Sequence, residues 1–197
     1  MTSFNRPEQI TDPILLDRLE RIGAREIGIW RELVLRDNAL FLAIYSSIYS
    51  DNHRIAWHAA WIIDHVSEVD PCKLEPFVPE LIDQLPLLKS NSLKRHFTRM
   101  LLSQKIPEDK MGMLVNVLYT LLSPSQAIAV RANALQLLHD IALIVPDLKP
   151  ELLNVTESIL EEELTSGMRA KAKNVVRSLN INVPKKIQIQ KQRQSPK

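Results

Sequence analysis

Two apolar patterns recur along this chain in a fixed phase. The first has offsets 0, 4, 7, 8 and 11: Ile55, Ala59, Ile62, Ile63 and Val66. It returns as Val130, Ala134, Leu137, Leu138 and Ile141, and as Met168, Ala172, Val175, Val176 and Leu179. A weaker copy is Leu93, Phe97, Met100 and Leu101, where the fifth position is the polar Gln104. These copies start at 55, 93, 130 and 168, a spacing of 37 or 38 residues. Such offsets place every member on one side of an α-helix. The second pattern, at offsets 0, 3, 4 and 7, runs through Phe41–Ile48, Val78–Leu85, Leu114–Leu121 and Leu152–Ile159. In the last copy Thr156 replaces an apolar residue. Each copy leads its partner by 14 to 16 residues.

A helix pair repeated at this period hides its apolar faces only by stacking on its neighbours. The patterns predict first helices over 38–50, 74–88, 108–122 and 149–164, and second helices over 54–66, 93–104, 130–141 and 168–179. Polar punctuation precedes each second helix: Ser50-Asp51-Asn52, Ser90-Asn91-Ser92, Ser123-Pro124-Ser125 and Thr165-Ser166-Gly167. Side chains of these types accept from the free N–H groups of a helix start. Pro71, Pro107 and Pro146 close the first three pairs, because proline cannot continue a helix interior. The expected fold is all-α, an α-α superhelix of four helix pairs with a capping helix over Ile14–Ile22. It forms one domain over 1–182, followed by a basic, solvated tail over 183–197. The alternation Ile187-Gln188-Ile189-Gln190 lies in that tail and lacks a partner strand.

Period, pairing and the segments VRANALQLLHDI (130–141) and MRAKAKNVVRSL (168–179) make the chain resemble HEAT-like repeats of the armadillo-type superhelix class. Arg131 and Arg169 match the arginine that class carries early in its second helix; Lys94 substitutes and Ala56 departs. Ser125 and Glu163 stand where the class has an aspartate six residues earlier. The likeness covers roughly residues 38–180. It implies a concave face lined by the second helices.

Composition narrows the classes further. Of 197 residues, 45% are hydrophobic and 24% charged, which suits a globular chain rather than a disordered one. The lone Cys72 rules out an intramolecular disulfide and fits a reducing compartment. No signal pattern opens the chain, and a long uncharged run, Gly112–Val130, is broken by Ser-Pro-Ser-Gln. A cytoplasmic protein with no membrane segment is expected. Formal net charge is +2, but the last fifteen residues hold five basic residues and no acid. Within the repeats, second-helix segments carry nine basic and two acidic residues, and first-helix segments carry ten acidic and two basic ones. Under the resemblance, this implies a basic groove and an acidic back.

The first of the second helices holds the most unusual cluster. At 100° per residue, Trp57, Trp61 and Asp64 point away from the apolar stripe, with Arg54 and His65 beside them. The same ridge in the next repeat presents Arg95 and Arg99. Trp57, Trp61, Asp64, Arg54, Arg95, Arg99, Arg131 and Arg169 are therefore the candidate binding ridge. Two tryptophans beside arginines can stack on a base or grip a partner; they can equally pack between repeats. The five histidines are scattered, no zinc-ligand spacing occurs, and no metal or cofactor is expected. His139 and Asp140 are adjacent, so they are expected to diverge rather than form a bonded dyad. No catalytic residues are read from the chain.

These features favour a non-catalytic protein-interaction or scaffold module with an unknown protein partner. The alternative is nucleic acid or another polyanion held by the basic row. HEAT-like DNA alkylation repair glycosylases are architecturally similar, but none of their catalytic residues can be placed here. A lyase of the adenylosuccinate type needs a longer chain and a mobile serine loop, which Ser123-Pro124-Ser125 does not supply.

Overall fold

Asn52 accepts from the amides of Arg54 and Ile55, Ser90 from that of Leu93, and Thr165 Oγ1 from that of Met168. These polar residues start three of the four expected second helices. The computed structural model describes residues 12–181, and among them it has ten α-helices and no strand. In chain order they are α1 (Pro13–Arg21), α2 (Ile27–Arg36), α3 (Asn38–Ser47), α4 (His53–Val69), α5 (Val78–Gln84), α6 (Asn91–Leu101), α7 (Glu108–Leu121), α8 (Ile128–Ile144), α9 (Lys149–Leu160) and α10 (Ser166–Ile181). The fourth start differs from expectation. α8 begins three residues after Ser125 and is preceded by Ala127, which makes no side-chain cap.

The chain divides into two compact units, Met1–Thr120 and Leu121–Lys197. In the first, α4 is the organising element and packs against α1, α2, α3 and α6. All five members of its stripe, Ile55 to Val66, are buried, and so are Phe41, Ile44 and Tyr45 of α3 and Ile48 just after its end. Each such isoleucine contributes ~1.5–3 kcal/mol of burial. Tyr45 also donates to Glu80 at 3.0 Å, which ties α3 to α5. Burial first, then Tyr49 and Glu80, raise the Tyr45 phenol far above its ordinary range, so it stays a donor.

In the second unit α8 and α9 pack on each other and on α10. Val130, Ala134, Leu137, Leu138 and Ile141 are buried, as are Met168, Ala172, Val175 and Leu179. Thr156 holds an apolar position because its hydroxyl is spent on its own helix, donating to the Leu152 carbonyl at 2.6 Å.

Two details depart from the expected layout. The N-terminal cap is two helices, not one, since α2 follows α1 and packs on both α3 and α4. The first helix of the second pair is short. α5 has seven residues between one-turn 3-10 segments at Glu75–Phe77 and Leu85–Leu87; Pro76, Pro79 and Pro86 each sit in the first turn of their segment, where the missing N–H is tolerated, and so divide the stretch into short pieces. The expected tail over 183–197 lies outside the described residues.

Candidate functional site

Unit 1 gathers part of the candidate ridge around α4 and α6. Trp57 and Trp61 lie one turn apart on α4 and are both half-buried. Their rings stack at 5.9 Å between centroids with only 7° between planes. The imidazole of His58 lies 4.7 Å from Trp57, and that of His96 stacks 6.5 Å from Trp61. His58 is itself fixed: its Nδ1 donates to the Leu19 carbonyl at 2.7 Å. That carbonyl sits in the last turn of α1, where helix carbonyls lack intrahelical partners. The tryptophans are thus neither core residues nor free ones. They form a clamped pair with part of their faces in solvent.

Asp64 corrects an expectation. It does not face outward but is fully buried under the ridge. Its Oδ2 accepts from His96 Nδ1 at 2.8 Å, and its Oδ1 lies 3.4 Å from Arg99 Nε. A carboxylate offers only acceptors, so His96 must present its proton at Nδ1. Arg99 continues outward to Glu68, whose second oxygen accepts from His65 Nδ1 at 2.9 Å. Burial works to raise the Glu68 carboxyl. The hydrogen bond and charge of Arg99, then His65, outweigh it and hold the group below its ordinary value. Burial likewise works against the Arg99 charge, and Glu68 and Asp64 more than restore it. The result is a polar chain Asp64–Arg99–Glu68–His65 that runs from the core to the surface beside the tryptophans. Arg54 and Arg95 are exposed.

Arg131 and Arg169 have other work in unit 2, and here a second correction is needed. Arg131 is only 4% exposed. Its Nε donates to the Leu122 carbonyl at 2.9 Å, and its Nη2 donates to both oxygens of Glu162 at 2.8–2.9 Å. Arg169 reaches the corresponding carbonyl of its own pair, Leu160, at 3.3 Å, and also the Glu162 carbonyl at 3.2 Å. Each arginine folds back nine residues to close the turn before its helix. Glu162 links the two, its carboxylate held by Arg131 and its backbone by Arg169. Arg131 is therefore buried rather than on an open ridge, and half-buried Arg169 turns its guanidinium to the carbonyls before its own helix.

His96 and Glu68 were not singled out by the sequence. Their signal was present, since Glu68 lies three residues after His65 and His96 one residue after Arg95, but neither marks a ridge by residue type. A third correction concerns His139. Its Nδ1 lies 3.1 Å from Asp140 Oδ1, although the two are adjacent on α8. Among the described residues, no group of three or more His, Cys, Asp or Glu is placed to hold a metal ion. No helix there is long and apolar enough to cross a membrane.

The HEAT repeat domain family matches residues 16–179. No curated protein and no solved structure matches the chain significantly. Paired helices at a 37–38-residue spacing, the arginine-closed turns and a match across most of the sequence lead to one conclusion: this chain belongs to the HEAT repeat domain family.

Proposed function

We propose that the protein is a non-catalytic interaction module that grips a protein partner through the α4–α6 ridge. The observation that carries this reading is the clamped Trp57–Trp61 stack, half in solvent and flanked by His65 and His96. Tryptophan and arginine dominate binding hot spots because they bury large areas with few rotatable bonds to freeze. Here the freezing has been done in advance by His58, His96 and Asp64, which lowers the entropic cost of association. A HEAT scaffold supplies such a surface without reactive groups.

The polyanion reading loses support from the same geometry. Arg99, Arg131, Arg169 and Lys171 are bound by intramolecular acceptors, so at least four of the nine basic second-helix residues are already engaged. The test is cross-linked affinity capture from extract of the source cells, with wild type and the Trp57→Ala/Trp61→Ala variant as baits. A partner retained by wild type and lost by a folded double variant is the expected result. Equal capture by both baits removes the ridge from the mechanism. Saturable binding of a labelled single-stranded DNA at ~50 mM salt, lost in the same variant, reassigns it to nucleic acid.

A further inference from the structure

We propose that unit 2 carries a separate carboxylate-binding site, in the cleft between α8 and α10. The cleft has a volume of about 430 Å³ and is lined by Gln136 and His139 of α8 and by Gly167, Lys171, Asn174 and Ser178 of α10, with Val175 in its apolar wall. It rests on none of the residues of the tryptophan ridge.

The polar groups here are organised from one point. Asp140 Oδ1 accepts from Gln136 Nε2 at 2.8 Å and from His139 Nδ1. Because the carboxylate only accepts, it settles both partners. The Gln136 amide must turn its nitrogen to Asp140, which leaves Oε1 to accept from Lys171 Nζ at 3.1 Å. His139 must carry its proton on Nδ1, which leaves Nε2 for the Ser178 hydroxyl at 2.9 Å. Two arms thus cross from α8 to α10, Gln136–Lys171 and His139–Ser178, and both are fixed by Asp140.

The Ser178–His139–Asp140 relay resembles the beginning of a nucleophilic site, but it lacks the rest. Ser178 lies inside α10, where backbone amides are spent on the helix, so no pair of free N–H groups is available for an oxyanion. The relay braces α8 against α10.

The cleft does have an oriented cation. Lys171 has three donors, and its hydrogen-bond partner among the described residues is the neutral Gln136 amide, not a carboxylate. Among the described residues no acidic side chain lines the cleft, and the neighbouring Asp140 turns its Oδ1 to Gln136 and His139. Asn174 sits three residues on, along the same side of α10, and is exposed. Gly167 lies one turn before Lys171, in the first turn of the helix, where the macrodipole favours negative charge. Among the described residues, nothing beyond its own helix backbone and chain neighbours lies within 4 Å of the position a Cβ would take there, so the approach is open. A fixed ammonium, an adjacent amide and an apolar wall suit a carboxylate on a short aliphatic stem. A glutamate side chain of an extended peptide or a free dicarboxylate could supply it.

Amide NMR titration of the full chain tests this, with three probes: glutarate, the blocked peptide Ala-Ala-Glu-Ala-Ala, and the same peptide with Gln at the centre. Saturable shifts confined to α8 and α10 with glutarate or the Glu peptide support the site, and the tighter of the two names the source. Lys171→Met should weaken binding at least about tenfold while Lys171→Arg largely retains it. Gln136→Leu, which frees the ammonium from its orienting partner, should weaken binding with Lys171 still present. Equal binding of the Gln peptide, an unaltered affinity in Lys171→Met, or no saturable shift up to ~20 mM of either acid overturns the proposal.

Discussion

Arg131 has one fork of its guanidinium on a backbone carbonyl and another on Glu162, almost out of solvent. Arg131→Met keeps the stem but leaves the Leu122 carbonyl and Glu162 without a donor. Breaking a buried pair this way should cost ~3 kcal/mol, read as a lowered urea midpoint at unchanged slope. Asp64 should behave similarly in unit 1. Asp64→Ala strands His96 and Arg99 and should cost ~3 kcal/mol, whereas Asp64→Asn keeps an acceptor for His96 and should cost ~1 kcal/mol. Glu68 gives a pH signature. Its carboxyl is held below the ordinary value of 4.5, so the folded state binds that proton more weakly than the unfolded chain. The stabilisation is complete above pH 4.5 and is lost as pH falls through the lower folded value. With the side chain 46% exposed, solvent screening keeps the effect below about 1 kcal/mol. Glu68→Gln should therefore flatten the acid limb of a Tm-against-pH curve, and high salt should shrink the difference from wild type. The depth of these groups was not legible in the sequence, because an arginine at a repeat position gives no sign of whether a backbone carbonyl or the solvent holds its guanidinium.

At the level of helices the sequence was far more informative, and its failures have identifiable causes. The stripe on α4 was readable because apolar residues keep to one face there. α2 was missed because IGIWRELVLR is apolar on several sides and contains Gly28, so no single stripe stands out; Ile27 and Val34 are buried while Ile29 and Leu33 are exposed. Gln104 broke the pattern in the second repeat for a simple reason. α6 ends at Leu101, and Gln104 lies beyond it, donating to the Pro71 carbonyl at 3.2 Å. The tryptophan ridge was legible as residues but not as geometry, since periodicity gives a direction and not a depth. Their half-buried state sets an intermediate expectation. Trp57→Ala should cost ~1–2 kcal/mol, short of the ~3–5 kcal/mol of a fully buried aromatic, because part of its area already faces water. A chemical denaturation curve separates these ranges, and loss of partner capture at a small stability cost would mark the pair as a binding element.

Repeat chains draw stability from each pair and from its contacts with immediate neighbours, so a lesion should spread only as far as those contacts do. The period of 37–38 residues made this organisation visible in the sequence. The division into Met1–Thr120 and Leu121–Lys197 was not, since the apolar stripes run through both units without a change of pattern. Arg131, Leu122, Glu162 and Arg169 all belong to the second unit, where they tie the turn before α8 to the turn before α10. Native-state hydrogen exchange should therefore respond unevenly to Arg131→Met. Amides of α8, α9 and α10 should lose protection by up to the full destabilisation, roughly a hundredfold for ~3 kcal/mol, because opening of this unit becomes easier. Amides at the centre of α4, buried against α1, α2, α3 and α6, should change by less than about tenfold if opening is local. A uniform loss across α4 and α8 would instead mean that the chain opens as one cooperative body and that the arginine bridge stabilises all of it.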